Sequence, residues 1–367
     1  MNTAPPLEYV TSFAEASQTM MQRLTTALIT SGESDADFSR FAEVASIQQN
    51  YLSQMGGLWV ETLMGSAAES QKVDKSDRRF AGVQWKRSPY HNFLKSAYLV
   101  NTRYINDLIE RAAVDEKTRG RLRFFARQIL DAMSPANYLA TNPQAIQRAF
   151  ETGGDSLAVG VKNMLGDFGK GRITMSDEQA FEVGRNLAVT PGAVVFENEL
   201  IQLIQYRPLT EQVGTRPLLI VPPAINKFYI FDLQPANSFV RYAVEQGNMV
   251  FMVSWCNVTT KQGHLTWDDY LELGVIQAID TVLEIAGADQ VNALGFCVGG
   301  TLLGCAAGVL AARQEKKIAS LAFMTTMLDF GDAGEIGLLI DEAGVVARER
   351  TIGGGGIMPG EELAFVF

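Results

Sequence analysis

Residues 291–300 read VNALGFCVGG. A run of strand-forming residues stops at Gly295, Cys297 stands two positions on, and Gly299 and Gly300 lead into a long small-residue helix pattern. The spacing Gly295, Cys297, Gly299 is G-x-S-x-G with sulfur in place of the serine oxygen. Its constraint on folding is steric. A chain that turns from a buried strand into a helix within a few residues strains the backbone at the bend and leaves no room for side chains where strand and helix cross. Gly295 and Gly299 meet the second condition, and Cys297 is expected to take the strain, its thiol exposed above the sheet. Gly300, Gly304 and Gly308 recur at four-residue steps and predict a helix pressed close to that sheet.

The surrounding sequence suits such a bend. From about Gly184, the short runs AVVFEN, LIQLIQY, PLLIVPP, MVFMVSW, VNALGF and IASLAFMTT alternate with helical patterns. That alternation predicts a mostly parallel sheet covered on both faces. AVVFEN and LIQLIQY are separated by too little chain for a crossover, so an antiparallel pair is expected there. Residues 181–367 thus read as an α/β domain of the α/β-hydrolase type. Residues 1–180 read as α-helical, since AEASQTMMQRLTTALI, FAEVASIQQNYLSQMGGLWVETLMG, SAYLVNTRYINDLIERAA and RLRFFARQILDAM carry apolar residues at three- and four-residue steps. No internal repeat is present, and GGGG at 353–356 reads as a loop.

Composition narrows the function classes. Lys and Arg total 31 against 41 Asp and Glu, a net charge of -10, and no basic block interleaves with aromatics, so nucleic acid is not an expected partner. The three cysteines, Cys256, Cys297 and Cys305, form no CxxC pair, which argues against a disulfide framework or zinc site and fits a cytoplasmic setting. Residues 291–312 carry no charge over 22 positions, but five glycines and Asn292 divide them into strand, turn and helix, so no transmembrane span is expected. The N-terminus lacks the pattern of a secretory signal.

The bend also predicts chemistry. At a helix N-terminus, free N–H groups and the helix dipole favour an anion, which should raise the thiolate fraction of Cys297. The Val298 N–H would face an oxyanion formed on an attacked carbonyl. A second donor is expected from VPPAIN, at Ala224 or Ile225, because the loop after an earlier strand supplies it in this fold. Cys256 and Cys305 are expected to be packing residues. The acid and base of such a triad follow the nucleophile, yet no histidine lies after Cys297. His91 and His264 both precede it, and solvated or capping roles are expected for them. Asp329 in MLDFGD, expected at a strand end, reads as a cap or a loop hydrogen-bond acceptor rather than the acid. With few strand signals after IASLAFMTT and a helix-like ending at AFVF, the sequence is expected to be a fragment that stops before its acid and base.

The segments LGFCVGGTLL, PPAINKFYIFDLQPANSFVRY, EQGNMVFMVSW, TWDDY and TTMLDFGDAGEIGLLIDE, in that set of positions, resemble the polyhydroxyalkanoate synthases of class I. The likeness runs from about Phe80 to the last residue. It implies a helical N-terminal domain ahead of an α/β-hydrolase-like catalytic domain, a cytoplasmic homodimer at the surface of polyester granules, and action on 3-hydroxyacyl-CoA, with 3-hydroxybutyryl-CoA the expected unit. It implies that Cys297 is the catalytic nucleophile and that no metal or redox cofactor is needed. A thiol-dependent hydrolase of the thioesterase or dienelactone hydrolase type, and an inactive granule-binding fragment, are the alternatives.

Overall fold

In the computed structural model, residues 35–63 and 77–360 are described; the predicted helix AEASQTMMQRLTTALI and the ending AFVF fall outside them. The chain forms two compact units, Met1–Met175 and Ser176–Phe367.

The first unit is helical. It contains α1 (Asp35–Leu63), α2 (Pro89–Arg111), α3 (Glu116–Ala132), α4 (Pro143–Glu151) and α5 (Asp155–Lys170). The helix starts are written locally. Ser88 caps α2 with Pro89 in its first turn, and Asp115 caps α3 by accepting from Thr118 N at 3.0 Å. Asn142, followed by Pro143, caps α4 through Gln144 N and Ala145 N. Stacked Tyr51 and Tyr104 (4.3 Å) and tilted Trp59 and Phe93 (4.6 Å) align α1 against α2 in opposite directions. Leu122, Ala126 and Leu130, at four-residue steps, give α3 its buried stripe.

The second unit holds a six-stranded sheet: β1 (Gly192–Glu197), β2 (Ile201–Tyr206), β3 (Leu218–Val221), β4 (Val250–Trp255), β5 (Val291–Phe296) and β6 (Ile318–Met324). Their spatial order is β1-β2-β4-β3-β5-β6. The β1–β2 and β2–β4 pairs are antiparallel and the β3–β4, β3–β5 and β5–β6 pairs parallel, the arrangement of an α/β-hydrolase sheet.

Alternating residues send the core to both faces. Leu219, Val221, Phe251, Val253, Val291 and Ala293 meet the helical segment Tyr270–Ala286 and α8 (Val298–Ala312) on one side. Ile220, Val250, Met252 and Leu294 meet α6 (Phe239–Glu245) on the other. In the helical segment a π-helical turn, Tyr270–Ile276, runs directly into α7 (Gln277–Ala286). Leu219, Ile220 and Phe251 are fully buried, each worth about 1.5–3 kcal/mol on removal from water.

Buried Asp232 ties the start of this unit together. Its carboxylate accepts from Thr190 N (3.1 Å), Thr190 Oγ1 (2.7 Å) and Ser238 Oγ (2.6 Å). Among the described residues no helix is long and apolar enough to cross a membrane.

Candidate active site

Cys297 lies between the last residue of β5 and the first of α8, with φ 52° and ψ −128°. That is the strained conformation anticipated for the residue on the bend, and few non-glycine residues adopt it. Hydrogen bonds clamp it on both sides. Its N–H donates to Met324 O at the end of β6 (3.0 Å), and its carbonyl accepts from Gly300 N (2.9 Å) and Thr301 N (3.2 Å), opening the helix. Thr301 Oγ1 in turn donates to Met327 O at 2.8 Å, anchoring the first turn of α8 to the chain beyond β6. Cys297 is half-buried, so the bend does not seal it beneath packed side chains.

The glycines have the steric roles the spacing predicts. A Cβ on Gly295 would stand 2.4 Å from Gly300 Cα, where strand and helix cross. One on Gly299 would stand 2.3 Å from Val221 O and 2.4 Å from Pro222 O, the end of β3. One on Gly300 would reach Thr326 Oγ1, and one on Gly304 would be 2.8 Å from Leu328 Cδ2. Gly308 departs from the expected series, with nothing within 4 Å of its would-be Cβ. Gly308 lies off the buried line Leu302, Ala306 and Leu310 and faces solvent.

The Gly299 contact brings the loop after β3 against the bend. Pro222 and Pro223 have no N–H, so Ala224 offers the first backbone donor after β3, followed by Ile225. Ala224 is half-buried, while Ile225 has an exposed side chain. Asn226 N turns back to Pro223 O at 3.1 Å, and among the described residues the amides of Ala224, Ile225 and Val298 donate to no backbone carbonyl. Beneath the loop lies Trp255, the last residue of β4, whose Nε1 donates to Pro222 O at 2.8 Å. Sequence reasoning missed it. Trp255 stacks on Tyr270 at 5.6 Å, and a Cβ on Gly274 would come within 2.7 Å of the indole, so the π-helical turn fits its shape to this ring.

Other expected residues fall elsewhere. His264 is exposed, its Nδ1 2.9 Å from Lys261 O, a local loop contact. His91 is not solvated: both ring nitrogens are shielded, and its ring meets Trp85 and Tyr90 edge-on. Burial pushes its pKa down. No hydrogen bond joins either histidine to Cys297 among the described residues. Asp329 does not end a strand, since β6 stops at Met324; it accepts from Gly331 N at 2.8 Å within a loop. Cys305 is exposed rather than packed, because it lies off the buried line Leu302, Ala306 and Leu310 of α8. Cys256 is half-buried, and burial pushes its thiol pKa up.

A family model described as Poly-beta-hydroxybutyrate polymerase (PhaC) N-terminus matches residues 76–243. The poly(3-hydroxyalkanoate) polymerase subunit PhaC of Cupriavidus necator is 50% identical over 331 residues, covering 89% of this chain and 56% of that protein. The poly(3-hydroxyalkanoate) polymerase of Methylorubrum extorquens is 39% identical over 335 residues, covering 89% and 55%. The Rhizobium etli subunit is 35% identical over 334 residues, covering 87% and 52%. The chain therefore spans about half the length of the curated relatives it matches. An alpha/beta hydrolase from Novosphingobium aromaticivorans is similar at 15% identity and a TM-score of 0.23, covering 35% of this chain and 42% of its own, a likeness too slight to argue from. By its sequence relatives, the chain belongs to the poly(3-hydroxyalkanoate) polymerase family.

Proposed function

We propose that this chain carries the nucleophile of a polyhydroxyalkanoate synthase that joins 3-hydroxyacyl-CoA units, 3-hydroxybutyryl-CoA among them, into polyester. The observation that carries the reading is the positive φ of Cys297 at the head of α8, held by glycines that leave no room for side chains. The sulfur attacks the thioester carbonyl, the Cys297–acyl bond forms, and the bond between the acyl carbon and the sulfur of CoA breaks, so that CoA leaves as its thiol. Thioester exchanges for thioester, so the acyl group stays activated for the next transfer. Attack by the 3-hydroxyl of a second unit then forms an ester and releases the sulfur.

During each attack negative charge collects on the carbonyl oxygen. The Val298 amide, with Ala224 or Ile225, would donate to it, and the N-terminus of α8 supports that charge. A general base must take the proton first from the thiol and then from the hydroxyl. Neither His91 nor His264 has the setting for that work, so no residue among those described is assigned as the base. The same reading places the polypeptide in the cytoplasm at granule surfaces, as a homodimer, without a cofactor.

The test uses a polypeptide of the relatives' full length that contains these residues. Incubated with 3-hydroxybutyryl-CoA, it should release CoA and deposit insoluble polyester. Free 3-hydroxybutyrate as sole product would instead favour a thiol-dependent hydrolase.

A further inference from the structure

One turn of α2 and the short helical turn Gln84–Arg87 before it bury several polar groups without partners. Trp85 is 0% exposed and Lys95 1% exposed. Trp85 Nε1, both ring nitrogens of His91, Asn92 Oδ1 and Lys95 Nζ are shielded from solvent, and among the described residues none has a hydrogen-bond partner. His91 and Lys95 are four residues apart, so they share a face of α2, and Asn92 lies three residues before Lys95. The Trp85 ring stands edge-on to His91 with centroids 6.3 Å apart, which sets the indole beside that face.

The charged neighbour that acts on Lys95 is Lys86, a second cation. Of the acids in the same unit, Asp77 and Asp131 both pair with Arg79, which lies over the Phe80 ring that meets Trp85. A buried ammonium without a counter-charge is costly, and an unpaired indole N–H adds to that cost. The donors here are an ammonium, an indole N–H and one imidazole N–H, set against two acceptors, the Asn92 carbonyl and the other imidazole nitrogen. That donor set suits oxygen atoms bearing negative charge.

We propose that Trp85, His91 and Lys95 form a binding site for a small oxyanion, a phosphate or carboxylate group, within the helical unit. The site is separate from Cys297 and does not depend on the polymerase reading. Bound there, the anion would supply the missing counter-charge and accept from the indole. It would also lock the Gln84–Arg87 turn to α2.

The test is anion-dependent stability of the 367-residue chain, measured by urea unfolding in inorganic phosphate and, separately, in acetate, at constant ionic strength set with chloride. Above the dissociation constant, each tenfold rise in the bound anion should multiply the wild-type folding constant tenfold beyond the response of Lys95→Met. A response to phosphate alone assigns a phosphoryl group, and a response to acetate alone assigns a carboxylate. In parallel, the indole N–H resonance of Trp85, assigned by its loss in Trp85→Phe, should shift in the wild type on titration with the same anion. Equal responses of wild type and Lys95→Met to both anions, or an unmoved Trp85 resonance if Lys95→Met does not fold, would overturn the proposal.

Discussion

Trp255 and Gly299 hold the same carbonyl from two sides: the indole Nε1 donates to Pro222 O at 2.8 Å, and the bare Cα of Gly299 lets that oxygen approach the start of α8. The loop bearing Ala224 is thereby fixed against Cys297's bend by one residue from β4 and one from α8. Trp255→Phe keeps the ring but removes the hydrogen bond, leaving a buried carbonyl unpaired at a cost of about 1–3 kcal/mol. If the Ala224 loop donates to the oxyanion, that variant in a full-length polypeptide should lose roughly tenfold to a hundredfold in kcat with little change in KM. Steady-state CoA release checks it, and an unchanged kcat would show that the loop tolerates the loss.

The glycines of α8 should separate by position. Gly308 is exposed within the helix with open space around its Cα, so Gly308→Ala should stabilise the chain by about 0.5–1 kcal/mol. Gly300→Ala drives a methyl into Thr326 and should destabilise it by roughly 1–3 kcal/mol. Urea midpoints of the two variants read both effects at once.

Asp232 should be costly to remove. Asp232→Ala leaves Thr190 N–H, Thr190 Oγ1 and Ser238 Oγ without their shared acceptor in a buried setting. A loss of about 3 kcal/mol or more is expected, visible as a lowered Tm. Asp232→Asn, which keeps one acceptor oxygen, should recover part of it.

Lys95 should give stability a distinctive pH dependence. Burial lowers its pKa below the ordinary 10.5, and repulsion from Lys86 acts in the same direction. Between the depressed folded value and 10.5 the unfolded chain binds more protons than the folded one, so stability rises with pH across that window. Below the folded value the full cost of the buried charge is present. Lys95→Met lacks the term and should be more stable than wild type in anion-free buffer, with the gap closing as pH rises toward 10.5. Parallel pH profiles of the two proteins would contradict this.

The parts of the fold legible in the sequence are those whose physics is local. Gly295, Cys297 and Gly299 announce the bend because the steric demand of a strand-to-helix turn falls on those positions themselves. Ser88, Asp115 and Asn142 cap their helices by equally local physics, each serving amides two or three residues away. Trp255 was not legible, since its partner Pro222 is 33 residues distant and its shape is matched by a π-helical turn. His91 reads as a solvated or capping residue, and only tertiary packing around Trp85 reveals that its ring nitrogens and Lys95 are enclosed. Cys305 was misjudged for the opposite reason: an apolar stretch does not say which side of α8 faces outward.

The central claim is that Cys297 takes the acyl group. A full-length polypeptide treated with 3-hydroxybutyryl-CoA, quenched in acid and digested should yield a hydroxyacyl-modified peptide containing Cys297, and Cys297→Ala should release no CoA. Modification of Cys256 or Cys305 instead, or sustained CoA release by Cys297→Ala, would contradict the account.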